Sequence, residues 1–150
     1  GDDFRPTGMV IPSLIRRVAD GENPLTVWGD GSTVRDFIHA RDVAYGMMLA
    51  LEKGADCTPI NLGSGSGVAI KDLVEVLVDI VPDVREVVWD TDKPTGEPVR
   101  LMDLTRAREK IGFEPQVSLR DGVEETYNWY LENRANVDNR FNAFSKDGKS

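Results

Sequence analysis

Two cationic side chains in an acidic chain are the residues best suited to hold an anion. The 150 residues include 18 lysines and arginines against 26 aspartates and glutamates, which gives a net charge of -8. Arg35 lies between two stretches that favour extended structure, and Lys93 lies in a loop stiffened by flanking prolines. A guanidinium can bind a pyrophosphate through two parallel hydrogen bonds, whereas a lysine acts as a point charge. The alternatives are a surface ion pair of Arg35 with Asp36 or Asp42 and a simple exposed position for Lys93.

A glycine-rich loop, residues 63–67, follows a predicted strand and precedes a predicted helix. In such a position, backbone N–H groups and a helix N-terminus can hold a phosphate. The spacing does not fit a dinucleotide site, because Val68 stands where the third glycine of G-x-G-x-x-G belongs. No acidic residue ends a second strand about twenty residues later, as that fingerprint requires. We therefore interpret the loop as a sharp strand-to-helix turn.

Hydrophobic periodicity and turn residues predict one small α/β domain with short strands and about five helices. The predicted helices span residues 9–20, 39–53, 70–81, 104–111 and 119–134, and the predicted extended segments span residues 25–28, 35–38, 58–62, 84–89 and 99–102. His39 begins the second helix, where capping or packing is a better explanation than catalysis. Asp103 is the predicted cap of the fourth helix, and Ser118 with Asp121 nearly matches a capping box for the fifth. Residues 1–134 then form the domain, and residues 135–150 form a polar tail.

Bulk composition narrows the class of partner. The excess of acidic residues argues against nucleic acid, because phosphate backbones require clustered cations. No apolar run approaches the ~18 residues of a membrane span, and residues 1–10 do not resemble a secretory leader. The only cysteine, Cys57, cannot form an internal disulfide. These features predict a cytoplasmic domain without membrane or nucleic-acid partners.

Two signatures together resemble the substrate-binding domain of extended short-chain dehydrogenase/reductases, which epimerise, dehydrate or reduce nucleotide-sugars. The first is residues 27–42, Val-Trp-Gly-Asp-Gly-Ser-Thr-Val-Arg-Asp-Phe-Ile-His-Ala-Arg-Asp. The second runs from Lys93-Pro94-Thr95-Gly96-Glu97-Pro98 through Arg100, Asp103 and Arg106-Ala107-Arg108 to Gly112-Phe113. The resemblance covers nearly the whole chain. It implies a small mixed α/β domain that is normally appended to an NAD(P)-binding Rossmann domain, which is absent from this sequence.

The resemblance also implies which residues meet the nucleotide-sugar. The implied substrate-binding residues are Val10, Arg16, Arg17, Trp28, Arg35 and Lys93. Arg35 and Lys93 would contact the diphosphate, and Trp28 would lie against the base, with a core position as the alternative. The first helix would form one wall of the sugar pocket. Its arginines would add phosphate contacts, although charge compensation at a helix C-terminus explains them nearly as well.

The catalytic parts of the family do not occur in this sequence. The family uses a Tyr-x-x-x-Lys pair together with NAD or NADP, and none of Tyr45, Tyr127 and Tyr130 is followed four residues later by lysine. We therefore assign no catalytic residue and no bound cofactor to this chain alone. We expect it to be a piece of a longer enzyme, with the Rossmann domain immediately upstream of Gly1.

The identity of the base and the reaction stay open. The Lys-Pro-x-Gly-x-Pro loop is most similar to enzymes that act on GDP-sugars, especially the GDP-fucose synthases. Those enzymes place a catalytic histidine directly before Val-Ile-Pro, where this chain has Met9, and a thioether cannot act as a general acid. A 4-epimerase, a dehydratase or a simpler reductase therefore fits at least as well as an enzyme of double epimerisation. UDP- and dTDP-sugars remain alternatives to GDP-sugars. A different hypothesis is a non-catalytic domain that binds a nucleotide-sugar or a protein, or that self-associates through exposed apolar surface.

Overall fold

The computed structural model describes residues 9–54, 56–81, 83–84 and 86–137. The helices are α1 (Val10–Ala19), α2 (Ala40–Lys53), α3 (Ile70–Ile80), α4 (Thr105–Ile111) and α5 (Leu119–Val137). The strands are β1 (Leu25–Trp28), β2 (Val34–Asp36), β3 (Gly67–Ala69), β4 (Val87–Asp90) and β5 (Val99–Arg100). The described residues thus form the small mixed α/β domain that the sequence predicts, with five helices and short strands. Across these ranges no helix is both long and apolar enough to cross a bilayer.

The strands form two small sheets. In the first sheet, β1 pairs with β4 in parallel, and Trp28 lies opposite Asp90. In the second sheet, β2 is central, antiparallel to β3 and parallel to β5. Two connections therefore pass from the first sheet to the second: residues 29–33 between β1 and β2, and residues 91–98 between β4 and β5. The candidate site lies at these two connections.

The main hydrophobic core fixes the first sheet against three helices. Apolar residues at three- and four-residue spacing give α1, α3 and α5 each a face that can be buried. The fully or nearly fully buried residues of this cluster are Leu14, Ile15, Val18, Leu25, Val27, Leu73, Val74, Leu77, Val81, Val84, Val123 and Tyr130. Both α1 and α3 pack on α5. The side chains of β1 alternate between buried and more exposed positions, so Trp28 at its end points outward.

A second, smaller core lies between α2 and α4. Its buried residues are Leu49, Ala107, Ile111 and Phe113. Gly112 ends α4 in the left-handed conformation, with φ of 67°, and this turn directs Phe113 into the cluster. Position 46 in α2 requires glycine, because a Cβ there would lie 2.6 Å from Leu62 Cδ2. This core carries the segment that leads from α2 back towards the second sheet.

Helix ends follow the predicted chemistry closely. The Nδ1 atom of His39 accepts a hydrogen bond from Arg41 N at 3.3 Å, which confirms the capping role. Ser118 Oγ accepts from Asp121 N at 3.1 Å and donates to the Asp121 carboxylate at 2.7 Å, as a capping pair should. Asp103 accepts from Thr105 N at 2.9 Å, although α4 begins one residue later than predicted. Helix α5 continues past Arg134 to Val137, and the rest of the predicted tail lies outside the described residues.

The prediction of a strand at residues 58–62 was wrong. Burial alternates along the segment, and Ile60 and Leu62 pack against the second core, but these residues do not form a strand. Within the described part of the chain no strand lies beside it, so there is no ladder to pair with. Side chains of α4 line it instead: Arg106 donates to Pro59 O at 2.5 Å, and Lys110 donates to Thr58 Oγ1 at 3.1 Å.

Three smaller differences concern the length and burial of elements. The predicted strand at 84–89 is β4, which starts three residues later at Val87. The glycine-rich loop does not lead directly into a helix, because the short strand β3 pairs with β2 before α3 begins. The spacing of Leu119, Val123, Tyr127 and Leu131 predicts an apolar stripe on the fifth helix, but Leu131 is 40% exposed and Tyr130 is buried in the core instead.

Candidate functional site

The connection of residues 91–98 gathers three of the six predicted site residues. Trp28 ends β1, Arg35 is the middle residue of β2, and Lys93 lies in the connection itself. The prolines and glycine of Lys93-Pro94-Thr95-Gly96-Glu97-Pro98 keep the segment out of helix and strand, so it crosses between the sheets as a loop. The structure therefore brings Arg35 to the backbone of this loop and Lys93 of the loop to Trp28. No standard local pattern would have shown this, because the loop is distant in sequence from Trp28 and Arg35.

The Arg35 guanidinium holds this loop through its backbone. Nη1 donates to Glu97 O and to Val34 O, both at 2.8 Å, and Nη2 donates to Thr95 O at 3.2 Å. A guanidinium has five N–H donors in a rigid plane, so these bonds leave the Nε donor and one Nη2 donor outside them. Neither Asp36 nor Asp42, the ion-pair partners suggested by sequence proximity, is the acceptor in these bonds.

Lys93 and Trp28 form a cation–aromatic pair. The Lys93 ammonium lies 6.0 Å from the centroid of the Trp28 ring, at the outer limit of an effective contact. The Trp28 side chain is 61% exposed, so the alternative of a core tryptophan does not apply to this structure. Its indole offers an open aromatic face next to a positive charge.

The two connections between the sheets touch at Gly29. This glycine has φ of +83°, and a Cβ built on it would lie 2.1 Å from Thr95 Cγ2. Only glycine fits, for both conformational and steric reasons. The Asp90 carbonyl anchors both connections, since it accepts from Gly29 N at 2.8 Å and from Lys93 N at 3.4 Å.

A negative charge borders the first connection. The Ser32 hydroxyl donates to the Asp30 carboxylate at 2.6 Å, and Ser32 N donates to it at 2.9 Å. These hydrogen bonds lower the pKa of Asp30 below its ordinary value. Asp30 is therefore ionised at neutral pH and limits the positive potential on that side of the site.

The three predicted residues on α1 have different surroundings. Val10 begins the helix and is 41% exposed. Arg16 forms an ion pair with Asp20 at 3.4 Å. Arg17 donates to both carboxylate oxygens of Glu22 and to the carbonyl of Thr26, and this contact ties the end of α1 to β1.

Arg17 perturbs its partner carboxylate. Its hydrogen bond is the main cause that lowers the pKa of Glu22, and Thr26 N adds a second donor at 3.2 Å. The arginine is thus engaged in a structural ion pair. Arg17 lies in the last turn of α1, so its position fits the alternative of charge compensation at a helix C-terminus.

Asp36 organises the glycine-rich loop and was missed by the sequence reasoning. Its carboxylate accepts from Ser64 N and Ser64 Oγ, both at 2.7 Å, from Gly65 N at 3.3 Å and from Met102 N at 3.2 Å. The N–H groups that might have held a phosphate are therefore bound to a carboxylate of the chain itself. This arrangement supports the interpretation of residues 63–67 as a structural turn. An acidic residue at the end of a strand was the only local signal for it.

This chain is similar in sequence to one family of enzymes. The family model described as "NAD dependent epimerase/dehydratase family" matches residues 2–63. GDP-L-fucose synthase 1 of Arabidopsis thaliana is 38% identical over 140 residues, which cover 90% of this chain and 43% of that protein. The dTDP-4-dehydro-6-deoxy-D-allose reductase of Streptomyces bikiniensis is 38% identical over 131 residues, covering 87% of this chain and 39% of the reductase.

Solved structures show the same fold. UDP-glucose 4-epimerase of Thermotoga maritima, determined with UDP-glucose, superposes with a TM-score of 0.80 at 30% identity, over 89% of this chain and 42% of the epimerase. This chain spans about two fifths of the length of the relatives it matches. The chain belongs to the NAD-dependent epimerase/dehydratase family.

Proposed function

We propose that this chain is the substrate-binding part of an NAD(P)-dependent nucleotide-sugar epimerase, dehydratase or reductase. The observation that carries the proposal is the meeting of Trp28, Lys93 and Arg35 at one loop. An exposed aromatic face suits a nucleotide base, and Lys93 beside it together with Arg35 on the same loop suits a diphosphate. Family membership supports the same class of substrate.

Charge makes this cluster more significant than it would be in a basic protein. The chain has a net charge of -8, so an anionic ligand is repelled by most of its surface. Lys93 and Arg35 supply a local positive region in which the ligand diphosphate can bind. Lys93 acts as a point charge, and Arg35 retains two N–H donors that can face an incoming oxygen.

Helix α1 is the proposed wall of the sugar pocket. Val10 presents an apolar side chain at its start, and Arg16 and Arg17 lie at its end. Arg17 would have to exchange Glu22 for a phosphate oxygen before it could contact the ligand. We therefore propose these three residues as secondary contacts, behind Trp28, Arg35 and Lys93.

Guanine is the base we propose first. The Lys93 loop is similar to that of enzymes acting on GDP-sugars, and one relative is a GDP-L-fucose synthase. Uridine and thymidine are the alternatives, because another relative is a dTDP-sugar reductase and the solved structure contains UDP-glucose. Met9 in place of a catalytic histidine favours 4-epimerase, dehydratase or simple reductase chemistry over double epimerisation.

We propose that this chain binds the nucleotide-sugar and orients it for the reaction. NAD or NADP, held by an N-terminal Rossmann domain in a cytoplasmic enzyme, supplies hydride transfer at the sugar when bound. The glycine-rich loop of this chain does not fit a dinucleotide, because Asp36 occupies the N–H groups of Ser64 and Gly65. Fixing the diphosphate limits the positions of the attached sugar, which is how a binding domain can accelerate a reaction it does not itself perform. We therefore expect no turnover from residues 1–150 alone.

Calorimetric titration with GDP, UDP and dTDP tests the proposal. We expect one nucleotide to bind, and Arg35→Ala and Lys93→Ala each to weaken it by about tenfold, the effect of losing one charge-assisted hydrogen bond. Arg41→Ala is the matched control, because Arg41 is exposed and pairs with Glu125 on α5, away from the loop. Binding that is equally affected by all three variants would indicate a diffuse charge effect and would contradict the assigned site.

A non-catalytic role is the second candidate. The lack of a Tyr-x-x-x-Lys pair and the exposed apolar residues of α2 are compatible with a domain that only binds a protein or itself. Absence of nucleotide binding combined with concentration-dependent association would favour this candidate.

A further inference from the structure

We propose that Arg35 is also a positioning residue: it holds the loop of residues 91–98 closed, so that Lys93 stays over Trp28. The part that concerns ligand affinity rests on the proposed function, whereas the part that concerns the loop does not. The role is additional to any direct contact of Arg35 with a diphosphate.

Arg35 donates these hydrogen bonds to backbone carbonyl oxygens rather than to carboxylates. Its three acceptors are carbonyl oxygens, two of them, Thr95 O and Glu97 O, on the loop and one on its own strand. Two different nitrogens make the two loop contacts, so the planar fork spans both sides of Gly96. A lysine would bring one nitrogen and could not span both carbonyls in the same way. The loop therefore uses the planar shape of the guanidinium in addition to its charge.

The loop has few other restraints along its middle. At its start, Asp90 O accepts from Lys93 N at a long 3.4 Å, and at its end Pro98 O accepts from Val34 N at 2.8 Å. Gly96 has φ of +72°, which adds conformational freedom at the centre. Among the described hydrogen bonds, those from Arg35 are the ones that fix residues 95–97 against β2. Loss of these bonds should release the segment that carries Lys93.

The position of Lys93 reports the state of the loop. Its ammonium is 6.0 Å from the Trp28 ring, a distance at which the attraction alone is too weak to fix a four-carbon side chain. Loop closure therefore brings the cation to the ring. A diphosphate bound next to a stacked base would then meet Lys93 already in place, which lowers the ordering cost of binding.

The loop is tested first in the absence of ligand. The protein is labelled with 5-fluorotryptophan, and the Trp28 fluorine resonance is assigned by Trp28→Phe, which leaves Trp89 and Trp129 as internal references. We expect Arg35→Lys and Arg35→Ala to shift the Trp28 resonance towards its position in Lys93→Met, with little change at the references. Arg41→Lys, the matched control, should leave it in place. If Arg35→Lys leaves the Trp28 resonance unchanged while Lys93→Met moves it, the positioning role is overturned.

The consequence for binding is tested by a double-mutant cycle with the nucleotide that binds best. We expect the loss of affinity caused by Arg35→Lys to be at least about threefold larger when Lys93 is present than in Lys93→Met, because the part that acts through Lys93 disappears with it and interacting residues are not additive. An equal loss in both backgrounds would mean that Arg35 acts on the ligand only directly and would overturn this part. If no nucleotide binds, the proposed function fails, and the fluorine result still decides whether Arg35 holds the loop. Circular dichroism of each variant establishes that it is folded.

Discussion

Gly29 is the residue at which the two connections of the site constrain each other. Its left-handed backbone and the nearby Thr95 methyl group act independently, so the two costs of adding a side chain can be separated experimentally. Gly21 provides the comparison, since it has a similar φ of +85° but nothing within 4 Å of the position that a Cβ would take.

We predict that Gly29→Ala destabilises the protein more than Gly21→Ala. Both variants incur the cost of a left-handed non-glycine residue, about 1–2 kcal/mol. Gly29→Ala adds an overpacking cost of about 1–3 kcal/mol against Thr95. Urea denaturation gives the difference. Thr95→Ser, which removes Cγ2, should recover part of the loss in Gly29→Ala and none in Gly21→Ala; equal losses in the two alanine variants would contradict the tight contact.

The sequence was sufficient to select the residues of the candidate site, but it was not sufficient to predict their contacts. Trp28, Arg35 and Lys93 could be selected because side-chain types and sequence motifs can be read directly from the sequence. The hydrogen bonds of Arg35 to Thr95 and Glu97 and the role of Asp36 could not be selected. They join segments far apart in sequence, and backbone carbonyls carry no sequence signal.

At the scale of elements, the clearest lesson comes from residues 58–62. The five helices were located to within about three residues because their 3.6-residue periodicity is a local property. Residues 58–62 have the alternation of a strand, but a strand also requires a neighbour. The described residues supply α4 side chains in that place. Residues 58–62 therefore have the alternation of a strand without its pairing within the described part of the chain.

Lys110 is one of the α4 side chains that hold this segment. It bonds to the Asp56 carboxylate and to Thr58 Oγ1, and Thr58 N also donates to Asp56 at 3.1 Å. The Lys110 ammonium, followed by the Thr58 donors, lowers the pKa of Asp56 from 3.8 to about 2. Asp56 is thus a probe of the contact between α4 and the segment.

We predict that Lys110→Met raises the pKa of Asp56 towards 3.8, because its largest stabilising partner is removed. A carboxylate with a lowered pKa in the folded state stabilises the fold fully above its unfolded pKa and loses that contribution as pH falls through its folded pKa. The wild type should therefore lose this contribution between about pH 4 and pH 2, and Lys110→Met should show a flatter pH dependence there. Carboxyl-carbon NMR titration measures the pKa. Lys71→Met should leave the Asp56 titration unchanged, and a similar shift in that variant would argue against the assigned partner.

At the scale of the whole molecule, the described residues form one large core and one small one. The main core unites α1, α3, α5 and the first sheet, while the second rests on Leu49, Ala107, Ile111 and Phe113. Next to the small core, α2 exposes a row of large apolar side chains: Tyr45, Met47, Met48 and Leu51. Leu51 is 85% exposed, which is unusual for a leucine on a helix that also packs against a core.

We predict that this surface of α2 drives self-association of the isolated chain. Burial of apolar area between two copies is favourable, and the negative charge of the chain only partly opposes it. Light scattering after size exclusion, over a range of concentrations, should show mass increasing with concentration. Leu51→Lys should reduce the increase, whereas Glu52→Gln, which keeps the apolar row and removes a neighbouring charge, should not. A monomer at every concentration would contradict the prediction.

The side-by-side course of residues 29–33 and 91–98 has a consequence for engineering. Each connection limits the other, through Gly29 against Thr95, through Arg35 and its loop carbonyls, and through Lys93 above Trp28. A chimera that imports only residues 91–98 from a homologue would combine a foreign loop with a surface shaped for the native one. The two connections therefore form one structural unit, and an exchange of either between homologues should be designed by moving both together.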